Sequence, residues 1–385
     1  MFSYSLQTNI EFGVGKASEL VSVLERFASH RRALIVTDSG VLRSGLVQPI
    51  VASLQEGGWA TGIFDQVAQN PRDVDCMAGV EQFAALGADV VVAIGGGSAM
   101  DTAKTIALLA RCGGTPQQYA DHRRDYSDAA PIVCLPTTAG TGAEVTRSAV
   151  ITENGTHRKM TLKHAVLRPL LAVLDPLLTI TVPPAVTAAT GVDALVHAIE
   201  GSTCTLATPI SEAFGHKAMT DIVAVLPRAV ADGSDLEART IMLQGSLLAG
   251  LCFGSTDVAA VHCLAEALGG LYDAPHGVAN AIFLPPVLRF NAQAHPLRHA
   301  QLARLMGFAK ETDSTETAVV KLTSGIARFT SQLGIPRLRD LPYVRTDDFD
   351  RLAELSFQNG STQSNIRPVA RHDYRKLLEE AYDFE

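Results

Sequence analysis

Two hydrophobic periods divide this chain. Before about residue 182, short apolar runs alternate with amphipathic stretches. Ala33–Thr37 (ALIVT), Thr61–Phe64, Asp89–Ile94 (DVVVAI) and Ile132–Leu135 read as strands. A run as continuously apolar as DVVVAI fits a strand covered on both faces. Between the strands, Val41–Gln55 places Leu42, Leu46, Ile50 and Leu54 on one helical face and ends at Gly57-Gly58. Arg72–Leu86, closed by Gly87, is a second predicted helix, and about Ala99–Arg111 a third. Strands alternating with helices predict βαβ units and a parallel sheet with right-handed crossovers.

The pattern changes at Val182-Pro183-Pro184, where proline restricts both itself and the residue before it. Beyond that point the spacing is helical. It predicts helices at Ala185–Gly201, Ile210–Val230, Leu236–Phe253, Val258–Leu271, Ala300–Phe308, Glu316–Leu333, Thr346–Leu355 and His372–Tyr382. No internal repeat or low-complexity tract interrupts the chain. The expected architecture is an α/β domain with a parallel sheet over residues 1–182, then an all-α domain over residues 183–385.

Composition narrows the class. The chain has 385 residues, 47% hydrophobic and 19% charged, enough for about two globular domains. With 32 basic and 40 acidic side chains the formal charge is −8, and no basic footprint for nucleic acid is present. The six cysteines are scattered with no C-x-x-C, which argues against a disulfide framework or a zinc knuckle and for a reducing compartment. The start of the chain, MFSYSLQTNIEFG, shows no signal-peptide pattern, and no apolar run reaches about 18 residues. A cytoplasmic enzyme free of the membrane is the expectation.

The most informative stretch of the first half is VVAIGGGSAMDTAK, Val91–Lys104. Gly95, Gly96 and Gly97 lie between a buried strand and a helix, where glycine lets backbone N–H groups approach an anion. The positive end of the helix dipole points to the same place, and Ser98 can cap the helix or donate to a phosphate. A pyrophosphate suits this turn, although a plain strand–helix turn fits the same residues. Asp38, just past a strand, can accept hydrogen bonds from ribose hydroxyls and would repel a 2′-phosphate, which favours NAD over NADP. It also reads as a simple turn residue in T-D-S-G. LPTTAGTGAEVT, Leu135–Thr146, offers the hydroxyls of Thr137, Thr138 and Thr141 to a ribose or nicotinamide amide, and it also reads as a surface loop.

In the second half, Asp193 and His197 are four apart in a helical pattern and so share a face. His262 lies in a second helical stretch and His276 in the short loop YDAPHG. One carboxylate and three imidazoles make a plausible set for Fe2+ or Zn2+. Each histidine alone also reads as structural. Glu200 and Glu266 lie near these residues in sequence.

Taken together, GGGSAMDTAK, PTTAGTGAEVT, TVPPAVTAATGVDALVHAIE and the H-x13-H that ends in PHG form a recognisable series. The chain resembles the iron-containing (group III) alcohol dehydrogenases over nearly its whole length, from about Phe12-Gly13 onward. The resemblance implies the dehydroquinate synthase-like fold of that family: an N-terminal dinucleotide-binding α/β domain with a parallel sheet, and an all-α C-terminal domain. It implies that Asp193, His197, His262 and His276 bind a catalytic Fe2+ or Zn2+. It further implies that Asp38 and Asn70 contact the adenosine part of NAD, and that Gly96, Gly97 and Ser98 hold the pyrophosphate. Thr137, Thr138 and Thr141 would serve the nicotinamide side, with Asp101, Val150 and Lys159 lining the cofactor site.

One position departs from the pattern. Many members carry a histidine four residues after the third ligand, and here that position is Glu266, a candidate for contact with a substrate hydroxyl or cation, or for proton relay. The implied activity is NAD-linked hydride transfer to or from a small alcohol or aldehyde, in a homo-oligomer. The alternatives are a maleylacetate reductase-like or other keto/hydroxy-acid oxidoreductase of the same fold, a dehydroquinate synthase-type lyase, or a non-catalytic NAD- or metal-binding module.

Overall fold

The computed structural model describes residues 2, 4–26 and 30–383. The chain forms two compact units, one spanning Ser5–Val182 and the other beginning at Pro183 and taking in Tyr4, whose ring lies 6.1 Å from that of Phe214.

The first unit is built on a six-stranded sheet. Its strands are β1 (Asn9–Phe12), β2 (Arg32–Val36), β3 (Ala60–Phe64), β4 (Val90–Gly95), β5 (Ile132–Pro136) and, after a separate hairpin, β8 (Leu171–Leu174). The order is β1-β8-β5-β4-β2-β3, and every pair is parallel. The continuous apolar run of β4 follows from burial on both sides. Ile35, Val92 and Val133 pack on one face with Val47, Ile50 and Leu54 of helix Val47–Glu56. Leu34, Val91 and Ile132 pack on the other with Phe83 of helix Asp73–Leu86 and with Met100, Ala103 and Ile106 of helix Gly97–Cys112. From β2 the chain turns outward to β3, and from β4 it turns the other way to β5. The strand order therefore reverses between β2 and β4, the position where doubly wound sheets bind ligands beyond the strands' carboxyl ends.

Two local readings change. The helix predicted over Val41–Gln55 is two helices, Ser39–Arg43 and Val47–Glu56, separated by Gly45 at φ 84. Pro49 gives the reason: inside a continuous helix its ring would clash with the carbonyl of residue 45, whereas in the first turn of a new helix it is harmless. The hairpin β6 (Ser148–Thr152) and β7 (Lys159–Lys163) is an element the sequence pattern does not predict. Its alternating Ala149, Ile151, Met160 and Leu162 are buried against Leu108, Leu109 and Tyr119.

The second unit has no strand among its described residues. Its helices are Pro184–Thr203, Pro209–Ala231, Leu236–Gly254, Ala260–Tyr272, His276–Ala292, Pro296–Leu305, Thr315–Gln332, Phe349–Gln358 and Arg371–Asp383. The helix Pro184–Thr203 is buried almost all round from Thr187 to Thr203, as suits the centre of a bundle. His276, expected in a loop, is the first residue of a 17-residue helix. Pro285-Pro286 inside that helix obscured it, because they remove two intrahelical donors. Residues 279–288 are all buried, so packing outweighs that cost. Among the described residues, no helix is long and apolar enough to cross a membrane.

Candidate cofactor and metal sites

In the first unit, the register pairs Ile94 with Leu135 and Gly95 with Pro136, so the loops after β4 and β5 leave the sheet side by side. The Thr137 amide donates to the Gly95 carbonyl at 3.0 Å. A Cβ on Gly96 would lie 3.2 Å from Thr138 Oγ1, and one on Gly97 only 2.7 Å from Thr141 Cγ2. Only glycine lets the two loops approach this closely. The helix starts at Gly97 rather than near Ala99, with Gly96 at the N-cap and no side-chain cap. Ser98 therefore sits inside the first turn and caps nothing. Its hydroxyl donates to the Gln69 carbonyl at 2.5 Å. An uncapped first turn keeps its N–H groups available to an anion.

Asp38 follows β2. Its Oδ1 accepts from the amides of Gly40 at 2.8 Å and Val41 at 3.0 Å, capping the helix Ser39–Arg43. Its Oδ2 faces the glycine turn, 3.7 Å from where a Gly95 Cβ would be. The turn reading of Asp38 and the ribose reading are thus compatible, one oxygen for each.

The hairpin gathers residues far apart in sequence. The Thr152 amide donates to the Pro71 carbonyl at 2.7 Å. Lys159 Nζ donates to Asn70 Oδ1 at 2.7 Å, and the Val150 amide to Asp101 Oδ2 at 3.0 Å. Lys104, to which the sequence pattern assigns no role, is fully buried. It donates to Ser148 O at 2.7 Å and Thr146 Oγ1 at 3.1 Å, and sits 3.8 Å from Asp101 Oδ1. Burial lowers the Lys104 pKa against the pull of Asp101. Burial raises that of Asp101 against Lys104 and the Val150 amide. Glu144 is 1% exposed, its Oε1 has no hydrogen-bond partner, and burial pushes its carboxyl up to about 7.

In the second unit, Asp193, His262 and His276 each present a ligand atom within 4.8 Å of the others. Asp193 Oδ1 lies 3.8 Å from His262 Nε2 and 3.7 Å from His276 Nε2. His197 lies beside this trio and not in it. Its Nε2 is 3.0 Å from His262 Nε2, its Nδ1 is 4.0 Å from Asp193 Oδ2, and its ring stacks on Phe253 at 4.1 Å between centroids. Asp193 is buried, yet its carboxyl is held below the ordinary range: burial opposes ionisation, but His197, His276, His262 and the Asn280 amide together outweigh it.

Two residues without an assigned role complete this arrangement. Asn280, one turn after His276, donates to Asp193 Oδ1 at 2.6 Å and leaves its own buried Oδ1 without a partner. Turning the amide over would set that oxygen against the carboxylate. Glu200, seven residues after Asp193, lies on the far side of His262, with Oε2 2.7 Å from Nδ1. The i, i+4, i+7 spacing of Asp193, His197 and Glu200 was a readable signal for Glu200. Glu266 is half-buried one turn after His262, and its Oε2 accepts from Asn359 Nδ2 at 2.6 Å.

Comparison with known proteins places the chain. Residues 7–176 match the family model for iron-containing alcohol dehydrogenase, and residues 187–382 match that for the C-terminal part of the Fe-containing alcohol dehydrogenase family. The chain is 39% identical to the 1,3-propanediol dehydrogenase of Klebsiella pneumoniae, over 99% of each chain. It is 35% identical to the NAD-dependent methanol dehydrogenase of Bacillus methanolicus, over 96% of this chain and 97% of that one. A crystal structure of a 1,3-propanediol oxidoreductase superposes with a TM-score of 0.94 at 38% identity, covering 99% of this chain and all of the other. The chain therefore belongs to the iron-containing alcohol dehydrogenase family and is an enzyme of that family.

Proposed function

We propose that this enzyme transfers a hydride between NAD(H) and a small alcohol or aldehyde, with Asp193, His197, His262 and His276 holding Fe2+ or Zn2+. The observation that carries the reading is the convergence of buried Asp193 and His262 with half-buried His276. The donor set fits such an ion: a carboxylate, imidazoles, and no sulfur. The imidazole nitrogens of His197 and His262 at 3.0 Å need a proton between them, and a cation replaces it naturally. The unpartnered Asn280 Oδ1 also marks a polar interior that a further group would complete. Bound there, the cation supplies a Lewis acid for the substrate oxygen, and the dinucleotide supplies the hydride acceptor.

The chain's own residues do the rest. Asp38 Oδ2 accepts from the ribose hydroxyls and disfavours a 2′-phosphate. The amides of Gly97 and Ser98, with Gly96 leaving the approach open, hold the pyrophosphate. Thr137, Thr138 and Thr141 hold the nicotinamide end. Asn70, fixed by Lys159, and Val150, fixed by Asp101, line the same site. Asn359 holds one oxygen of Glu266, and the other serves a substrate group or a proton. The names of the relatives, methanol and 1,3-propanediol dehydrogenases, support short alcohols. Six free cysteines, five of them buried, suit a reducing cytoplasm. A homo-oligomer, dimer or larger, belongs to the reading through the family resemblance.

The test is metal analysis of anaerobically purified protein with an NAD-linked alcohol and aldehyde screen. Asp193→Ala and His262→Ala should each lose the bound metal and more than about 100-fold of activity. Full metal content with full activity in both variants would refute the assignment.

A further inference from the structure

We propose that Glu200 is a positioning residue: it fixes the His262 ring with the proton on Nδ1 and so turns Nε2 toward the cation. This rests on the metal reading above. Glu200 is 3% exposed, and its carboxylate accepts from two backbone amides and meets one imidazole nitrogen. Oε2 lies 2.7 Å from His262 Nδ1 and 2.8 Å from the Ala259 amide, and Oε1 lies 2.7 Å from the Val261 amide.

An ionised carboxylate can only accept, so the ring nitrogen facing it must carry a hydrogen. In the neutral ring the free lone pair is then at Nε2, the atom that faces Asp193. The two amides lock the carboxylate as firmly as the ring, because they belong to the turn that opens the helix Ala260–Tyr272, on which His262 itself sits. A carboxylate on Nδ1–H also makes the imidazole a stronger donor at its other nitrogen.

Charge points the same way. Asp193 and Glu200 are two buried carboxylates, and among the described residues the ion pairs they make are with histidines alone. A buried charge needs a counter-charge, and a divalent cation at Asp193, His262 and His276 balances both.

The experiment titrates the metal-free protein with Zn2+ against a competing chelator. Glu200→Gln keeps an oxygen for Nδ1 and the Ala259 amide, but loses the charge and sets an N–H against that of Val261. It should bind Zn2+ about 10–100-fold more weakly than wild type, with NAD affinity unchanged. A folded variant that binds Zn2+ within twofold of wild type overturns the proposal while leaving the metal site intact. A wild-type chain that takes up no Zn2+ overturns the metal reading and this one with it. A second readout needs no variant: in zinc-loaded wild type labelled with 15N-histidine, His262 should carry its proton at Nδ1, and a proton at Nε2 overturns the proposal.

Discussion

Replacing Glu144 with glutamine should stabilise the protein at high pH and leave it nearly unchanged at low pH. Glu144 sits in the short turn Ala143–Val145 after the threonine loop, 1% exposed, with Oε1 unpartnered. Burial, opposed by its own backbone amide and by Lys104, moves its carboxyl from an ordinary 4.5 to about 7. The unfolded chain therefore releases this proton at lower pH than the folded chain does. Between those values the folded state binds more protons, so stability falls as pH rises toward 7 and levels off above it. The two values differ by about 2.5 units at ~1.36 kcal/mol each, a cost of about 3 kcal/mol above neutrality. Glutamine keeps the shape and cannot ionise. Loss of the attraction to buried Lys104 trims the gain. The variant should match wild type near pH 4 and gain up to about 3 kcal/mol near pH 8, or roughly 6–12 °C in Tm for a unit of this size. Calorimetric melts at both pH values measure it. A difference between the two proteins that does not widen with pH would refute the reasoning.

Two further outcomes are expected. Asp38→Asn preserves the helix cap, because asparagine caps as well as aspartate, yet it removes the charge that disfavours a 2′-phosphate; the ratio of kcat/KM for NADP to that for NAD should rise about tenfold, a change of ~1.4 kcal/mol, and an unchanged ratio assigns discrimination elsewhere. Gly277→Ala would set a Cβ 2.4 Å from the Ala189 carbonyl oxygen and 2.7 Å from its carbon, backbone atoms that cannot rotate away. The helix bearing His276 must shift, costing about 1–3 kcal/mol, and a lower melt with faster metal loss to a chelator is expected; a normal melt with full metal retention contradicts it.

Much of the fold was legible because its signals are local. The apolar run of β4, the glycines after it and the proline break at Val182-Pro183-Pro184 each state their meaning within a few residues. The hairpin is not among the predicted elements, although β6 and β7 each alternate in period two, because a six-residue loop rather than a tight two-residue turn joins them. The first-helix break was encoded in Pro49. The helix His276–Ala292 was not readable in this way, because its two internal prolines argue locally against the conformation that burial imposes.

The sequence by itself determined which chemistry is present: a glycine turn for an anion, a carboxylate and histidines for a cation, and the order in which they occur. Those are properties of residue types and of helical or strand spacing. Only the tertiary structure decided how they are held. Strand register brings the glycine and threonine loops together, and the hairpin brings Lys159 to Asn70 and Val150 to Asp101. Packing of separate helices brings His262 and His276 to Asp193, sets His197 beside them and puts Glu200 behind His262. The physical reason is that burial, partner geometry and the resulting pKa shifts depend on residues distant in the chain, so spacing along one helix can propose a site but cannot say which atoms meet.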